Sequence, residues 1–367
     1  GFWGLVLWIL AVNALVAAAV AAARSPTSSA RPLLWLGGAA LLVAGNFIYG
    51  SQVIRRADAE HAVDGKPEPQ RILVAQPDIR REIKWRPEKK AEVVACVLEH
   101  ARAAAAAGER AGGFDLFVWP ETVLPTRLLS DPPVVTRVES WVEREDVPLL
   151  LGTQEGYWGR WAGERTWIAH NSALVIYPDG RRSKIYRKMR LVPFSERFPL
   201  QKLVPGLGAI DFGQSNFFPG DSLRVWQLEL GADSVAAGCL ICFESAFPEM
   251  ARGFVQRGAR LLFNITNDFW FERTAGPVQH AEMVIHRAVE NRVPIVRCAN
   301  TGISFVVDPW GRVSHETGLF TQAAFVASVH PQAGSLAARL GDRILWPVVL
   351  PLAAALVRGG LRRRRRR

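Results

Sequence analysis

Residues 234–250 read SVAAGCLICFESAFPEM. The apolar run 235–241, rich in small and β-branched residues, stops at Cys242; Phe243 and Glu244 follow, then a segment able to continue as a helix. This is the pattern of a buried strand that delivers a cysteine to a tight strand-to-helix turn. Such a turn suits a nucleophile, because the thiol stands above the sheet edge and backbone N–H groups at a helix start stabilise negative charge. A lone buried cysteine is most often ordinary core. The weight therefore falls on the residue types that accompany it.

Outward from this stretch, strands are expected at 71–76, 114–119, 148–152, 172–177, 260–266, 294–299 and 303–307. Helices are expected at 87–107, 132–145 and 278–291, with turns at PDG (178–180) and DPWGR (308–312). Alternation of this kind predicts an α/β layered domain, and the two hairpin turns predict mixed sheets. The stretch 190–220, rich in Pro, Gly and Phe, has little periodicity and suits a lid or docking segment.

The chain has 367 residues, 49% of them hydrophobic, with the excess at its ends. Residues 2–23 are apolar except for Asn13, and 33–50 form a second apolar run around Asn46. A third, at 344–357, contains Pro347 and Pro351 and runs into an arginine tail. Membrane helices are expected at all three. Arg358 and the six arginines at 362–367 supply seven of the formal +11, leaving +4 (11 − 7) for the rest. The charge is thus a terminal tag, and a nucleic-acid groove is not expected. By the distribution of basic residues, the tail and the 24–32 loop (RSPTSSARP) face the cytoplasm and residues 51–335 lie outside it. Arg55 and Arg56 pull weakly the other way. The expected organisation is two membrane helices in 1–50, a catalytic domain in 51–335, and a final helix with tail in 336–367. The first residue is Gly1, so a fragment or processed product is expected.

Four cysteines are too few for a disulfide framework. Cys239 and Cys242 have C-x-x-C spacing, but no second Cys/His pair stands at zinc-finger distance and Cys239 lies inside the apolar run. Cys239 is read as core, and no metal or cofactor is expected.

Two further residues sit where strands end. Glu121 follows the apolar FVWP at 117–120, and Lys188 lies in YRKMRLVPFSE (186–196). Taken singly, Glu121 suits a helix start and Lys188 a solvated basic face. Together with Cys242 they make a chemical set. A thiol is mostly protonated near neutrality, a carboxylate in reach can take its proton, and an ammonium favours both the thiolate and the oxyanion of a tetrahedral intermediate. This is acyl transfer through a thioester.

The ordered motifs WPE (119–121), YRKMRLVPFSE (186–196) and CLICFE (239–244) resemble the carbon–nitrogen hydrolase (nitrilase) superfamily. KMRLVPFSERFP (188–199), NITNDFWF (264–271) and the long match over 276–313 resemble one branch, the apolipoprotein N-acyltransferases of bacterial envelopes. ERT at 272–274 departs from the glycine-and-acid pair usual after the NDxWF pattern, and Phe243 stands where tyrosine is common. The resemblance implies an αββα sandwich flanked by transmembrane helices in the bacterial inner membrane, with several further helices upstream and the catalytic domain in the periplasm. Carried over by position, Glu121 is the general base, Lys188 the catalytic lysine and Cys242 the nucleophile, with Glu196, Phe243 and Glu244 supporting the site. The implied partners are a phospholipid acyl donor such as phosphatidylethanolamine, a diacylglyceryl apolipoprotein acceptor and the lipid bilayer. Phe194, Phe198, Phe212, Phe217 and Phe218 suit acyl chains at the site's mouth, or ordinary loop anchoring. The alternatives are a membrane-anchored amidase or nitrilase using the same residues, and a non-enzymatic envelope protein.

Overall fold

The computed structural model describes residues 2–24, 31–61, 68–161, 163–199, 216–231 and 233–341, together with 343, 346, 350 and 351. The chain divides into two units, one of residues 1–67 and 336–367 and one of Glu68–Ser335.

In the first unit, α1 (Phe2–Ala23) and α2 (Arg31–His61) are antiparallel neighbours, with Leu15 against Gly38 and Trp8 Nε1 donating to the Leu42 carbonyl at 3.2 Å. Both helices are long and apolar enough to cross a bilayer. Their large side chains, among them Leu33, Leu41 and Phe47, point outward. Beyond the apolar run, α2 continues to His61 through Gln, Arg, Ala and Glu, which favour helix and contain no breaker. Most of the third apolar run, the arginine tail and most of the 24–32 loop lie outside the described residues.

The second unit begins with β1 (Gln70–Gln76), a one-turn α3 (Arg81–Lys84), α4 (Lys90–Arg110), β2 (Leu116–Val118) and α5 (Pro132–Glu145). There follow β3 (Leu149–Trp161), β4 (Glu164–Ile176), β5 (Tyr186–Arg187), β6 (Trp226–Leu230) and β7 (Asp233–Ile241). The remainder comprises α6 (Pro248–Gln256), β8 (Leu261–Thr266), α7 (Gly276–Asn291), β9 (Ile295–Ala299), β10 (Phe305–Val307), β11 (Val313–Ser314) and β12 (Ala323–Val329). The short α8 (Leu336–Leu340) belongs to the first unit.

The strands form two mixed sheets, ordered β12-β1-β2-β3-β4-β5 and β11-β10-β9-β8-β7-β6. Alternate residues explain the layering. Leu73, Ala75, Phe117, Leu149 and Leu151 face α4 and α5, with Trp119 stacked on Trp141 at 5.6 Å. The opposite face meets the second sheet, where Cys298 Sγ of β9 lies 3.4 Å from the Ala75 carbonyl and 3.5 Å from that of Val118. Helices α6 and α7 cover the second sheet, completing the αββα sandwich.

The strands expected at 148–152 and 172–177 are the base of one long hairpin that runs on to Trp161 and Glu164. Its outer half escapes a pattern search because glycines interrupt it. At Gly156 a Cβ would lie 2.7 Å from the Trp167 indole, so the cross-strand ring covers the backbone only because no side chain is there.

Candidate active site

Glu121, Lys188 and Cys242 each leave a strand end in the sandwich. Past β2, Pro120 ends the ladder and Glu121 is followed by Thr122 at φ 43°. Gly152 lets this turn lie close, since a Cβ there would meet Glu121 Cα at 2.7 Å. Lys188 comes directly after β5, its N–H held by the Asn171 carbonyl at 2.8 Å. Both side chains are buried.

The Lys188 ammonium lies 2.9 Å from Glu196 Oε1 and 3.6 Å from Glu121 Oε1. Asn171 Nδ2 donates to both carboxylates, at 2.6 Å to Glu121 and 3.1 Å to Glu196. The Asn267 N–H fixes the other Glu121 oxygen at 2.9 Å, and the Val192 N–H fixes that of Glu196 at 2.9 Å. Burial pushes the Glu121 carboxyl above the usual range, partly offset by Lys188. Burial also works to lower Lys188, but Glu196, Cys242 and Glu121 outweigh it and hold the ammonium protonated.

Cys242 sits at φ 52°, a left-handed conformation that a side chain adopts under strain. Its carbonyl is pinned from three sides, by His280 Nε2 at 3.1 Å, Asn264 Nδ2 at 3.4 Å and Ser245 Oγ at 3.2 Å. Behind these, Asp268 accepts from Arg297 at 2.5 Å and lies 2.8 Å from His280 Nδ1, while Arg297 also reaches Asn264. The residue keeps part of its surface open. Its thiol is pushed up to about 12, by burial first and then by Glu121, with Lys188 opposing. The resting group is therefore a neutral thiol that needs a base when it attacks.

After Cys242 the sequence predicts a tight turn and then a helix, and the structure holds both, with the helix opening several residues later. Residues Cys242–Ala246 form a 3-10 turn, and α6 begins only at Pro248, which lacks the N–H of an interior position. A carboxylate occupies the place a helix start would have served. Fully buried Glu244 accepts from the N–H groups of Ile241 (2.9 Å), Met189 (2.7 Å) and Arg190 (3.2 Å) and from the Tyr186 hydroxyl (2.8 Å). One side chain thus ties the residue before Cys242 to the residues after Lys188. Phe243 packs edge-on against Phe247 at 5.2 Å.

Among the aromatics expected at a mouth, Phe194 is exposed and meets Phe198 edge-on at 5.3 Å. Phe217 and Phe218 are buried instead, Phe218 donating its N–H to the Ala169 carbonyl at 2.7 Å, so these two anchor the segment. Phe212 lies outside the described residues. Sequence reasoning missed Asn171, His280, Arg297 and Lys84. Arg297 carries a signal, a charged residue inside the otherwise apolar IVRCA strand; Asn171, flanked by His170 and Ser172, carries none, nor do His280 and Lys84, the last a buried lysine of α3.

The carbon–nitrogen hydrolase family pattern matches residues 73–338. Proteins named apolipoprotein N-acyltransferase are similar to this chain. The one from Geobacter metallireducens is 37% identical over 77% of this chain and 52% of its own. Those from Chlorobaculum tepidum and Gloeobacter violaceus are 32% and 36% identical over 90% and 96% of this chain. The chain spans 52–62% of the length of these three relatives. Among solved structures, a mutant of the Nesterenkonia AN1 amidase from the nitrilase superfamily superposes with a TM-score of 0.52 at 20% identity, covering 76% of this chain and 95% of the amidase. That likeness concerns the fold.

Proposed function

Because the chain belongs to the carbon–nitrogen hydrolase family, we propose that it uses the sandwich for acyl transfer between membrane lipids and lipoproteins. The observation that carries this reading is the cluster of buried Glu121 and Lys188 with half-buried Glu196, whose charges act on Cys242, in a chain that also has two helices of bilayer length. The similarity to proteins named apolipoprotein N-acyltransferase supports the same choice.

In the first half-reaction Cys242 Sγ attacks the ester carbonyl of a phospholipid, with phosphatidylethanolamine the proposed donor. Glu121 takes the thiol proton as the S–C bond forms. The Lys188 ammonium stabilises the oxyanion, a contribution of roughly 3–4 kcal/mol for a well-placed donor. The C–O bond breaks, the lysophospholipid oxygen takes the proton back from Glu121, and a thioester remains. In the second half-reaction the free amine of an N-terminal diacylglyceryl-cysteine attacks that thioester. Glu121 accepts the proton from the attacking nitrogen and returns it to Cys242 Sγ as the C–S bond breaks, so the amide leaves and the resting thiol is restored. Glu196 holds Lys188 in place and Glu244 shapes the turn. The proposed location is the bacterial inner membrane, multi-pass, with the catalytic unit on the periplasmic side, where both substrates present their head groups.

The test is transfer of a radiolabelled acyl chain from phosphatidylethanolamine to a diacylglyceryl peptide in mixed micelles. Label should move to the peptide with wild type and with neither Cys242→Ala nor Glu121→Gln. Label released only as free fatty acid would instead support a hydrolase.

A further inference from the structure

Lys84 closes α3 and is buried, 1% exposed. Among the described residues no hydrogen bond reaches its ammonium nitrogen. The contact it does make is with the ring of its neighbour Trp85, at 5.3 Å. A buried ammonium without a hydrogen-bonding partner is costly to the fold. The loop leading into α3 is tied to Glu121 through hydrogen bonds: the Ile79 N–H donates to Asn300 Oδ1 at 2.9 Å, Asn300 Nδ2 donates to Asn267 Oδ1 at 3.2 Å, and the Asn267 N–H holds Glu121. The Glu121 carboxylate, beyond direct ion-pair distance, is the charge that favours the Lys84 ammonium.

Several groups act on Glu121. Lys188 acts on it from the end of β5, Glu196 from the segment that follows, Cys239 from β7, Cys242 from the turn after β7, and Lys84 from α3. Lys188 lies nearer to Glu196 (2.9 Å) than to Glu121 (3.6 Å), so its charge is shared between two carboxylates. Without Lys84 the set is one cation against two carboxylates, Glu121 buried and Glu196 half-buried. Such a set favours a protonated Glu121, and a protonated carboxyl cannot accept the thiol proton.

We propose that Lys84 is a positioning residue for acylation: acting through Glu121, its ammonium keeps that carboxylate ionised between turnovers, ready to take the Cys242 proton. The inference rests on the Glu121–Lys188–Cys242 reading and deepens it. Burial also lowers Lys84 itself, to about 8, against an ordinary 10.5, with Glu121 opposing. The sign of the linkage follows. Below pH 8 both folded and unfolded chains hold the proton and the burial penalty is complete. Between 8 and 10.5 the folded chain binds fewer protons, so stability rises with pH across that window. A methionine of similar length loses no hydrogen bond and removes the penalty.

The experiment is single-turnover acylation of Cys242 by p-nitrophenyl butyrate from pH 4.5 to 8, with thermal unfolding at pH 7, for wild type, Lys84→Met and Lys84→Arg. The expected result is an acid limb moved up by about one pH unit in Lys84→Met, as loss of one nearby buried charge would cause, together with an unfolding temperature at or above wild type. Lys84→Arg should keep the wild-type limb. An unmoved limb in Lys84→Met, a limb moved equally by both variants, or a Lys84→Met protein that melts below wild type would each overturn the proposal. No acylation of wild type at all would instead overturn the underlying Glu–Lys–Cys reading.

Discussion

Glu244→Gln is a one-atom change at the joint of the site. The carboxylate is fully buried, and both oxygens accept. Oε1 takes the Met189 and Arg190 N–H groups, Oε2 takes that of Ile241, and the Tyr186 hydroxyl spans both. An amide has one oxygen. In one orientation its NH2 opposes the Ile241 donor; flipped, it opposes those of Met189 and Arg190. Either way the buried Ile241 donor, or the part-buried donors of Met189 and Arg190, lose their acceptor, at about 1–3 kcal/mol for a fully buried group. A loss of about 2–4 kcal/mol is expected, which for a unit of this size lowers the unfolding temperature by roughly 4–16 °C. Because the severed bonds flank both Cys242 and Lys188, acylation should slow even at temperatures where the variant is folded. Calorimetry in detergent and burst kinetics measure the two effects. A Glu244→Gln protein that melts within about 1 °C of wild type and acylates at the wild-type rate would refute the clamp.

Asp268 is held down to about 2: burial would raise it, but Arg297 and His280 outweigh that. Its stabilisation is present above its ordinary value of 3.8 and should fade as pH falls from there to 2. Asp268→Asn should flatten that acid dependence and destabilise by about 3–5 kcal/mol, because Arg297 is left a buried cation; pH-dependent chemical unfolding is the check. Cys242→Gly should be about 1 kcal/mol more stable than Cys242→Ala, since glycine carries no penalty at φ 52°. Equal melting of the two would show that the turn is unstrained. Asn171→Leu removes the donor shared by Glu121 and Glu196 and should move the acid limb of acylation upward without abolishing the burst.

What was legible in the chain follows from range. The strand ends at Glu121 and Cys242 could be read because apolar runs stop there at Pro120 and at Phe243–Glu244, and α5 is found at 132–145 as its pattern predicts. β12 could not be read, because AAFVASV is weakly patterned and takes its place only by pairing with β1, far earlier in the chain. The later start of α6, at Pro248, was hidden for the same reason. Glu244 looks like the first turn of a helix until Met189 and Arg190, from another segment, arrive as donors. In REIKW the lysine resembles any solvated charge, and tertiary packing alone buries it.

The most direct measurement is intact-mass spectrometry of the detergent-purified protein after incubation with phosphatidylethanolamine. The proposed mechanism predicts a mass gain of one acyl chain that hydroxylamine removes and that Cys242→Ala never acquires. A wild-type protein that gains no acyl mass yet releases ammonia from small amides would contradict it.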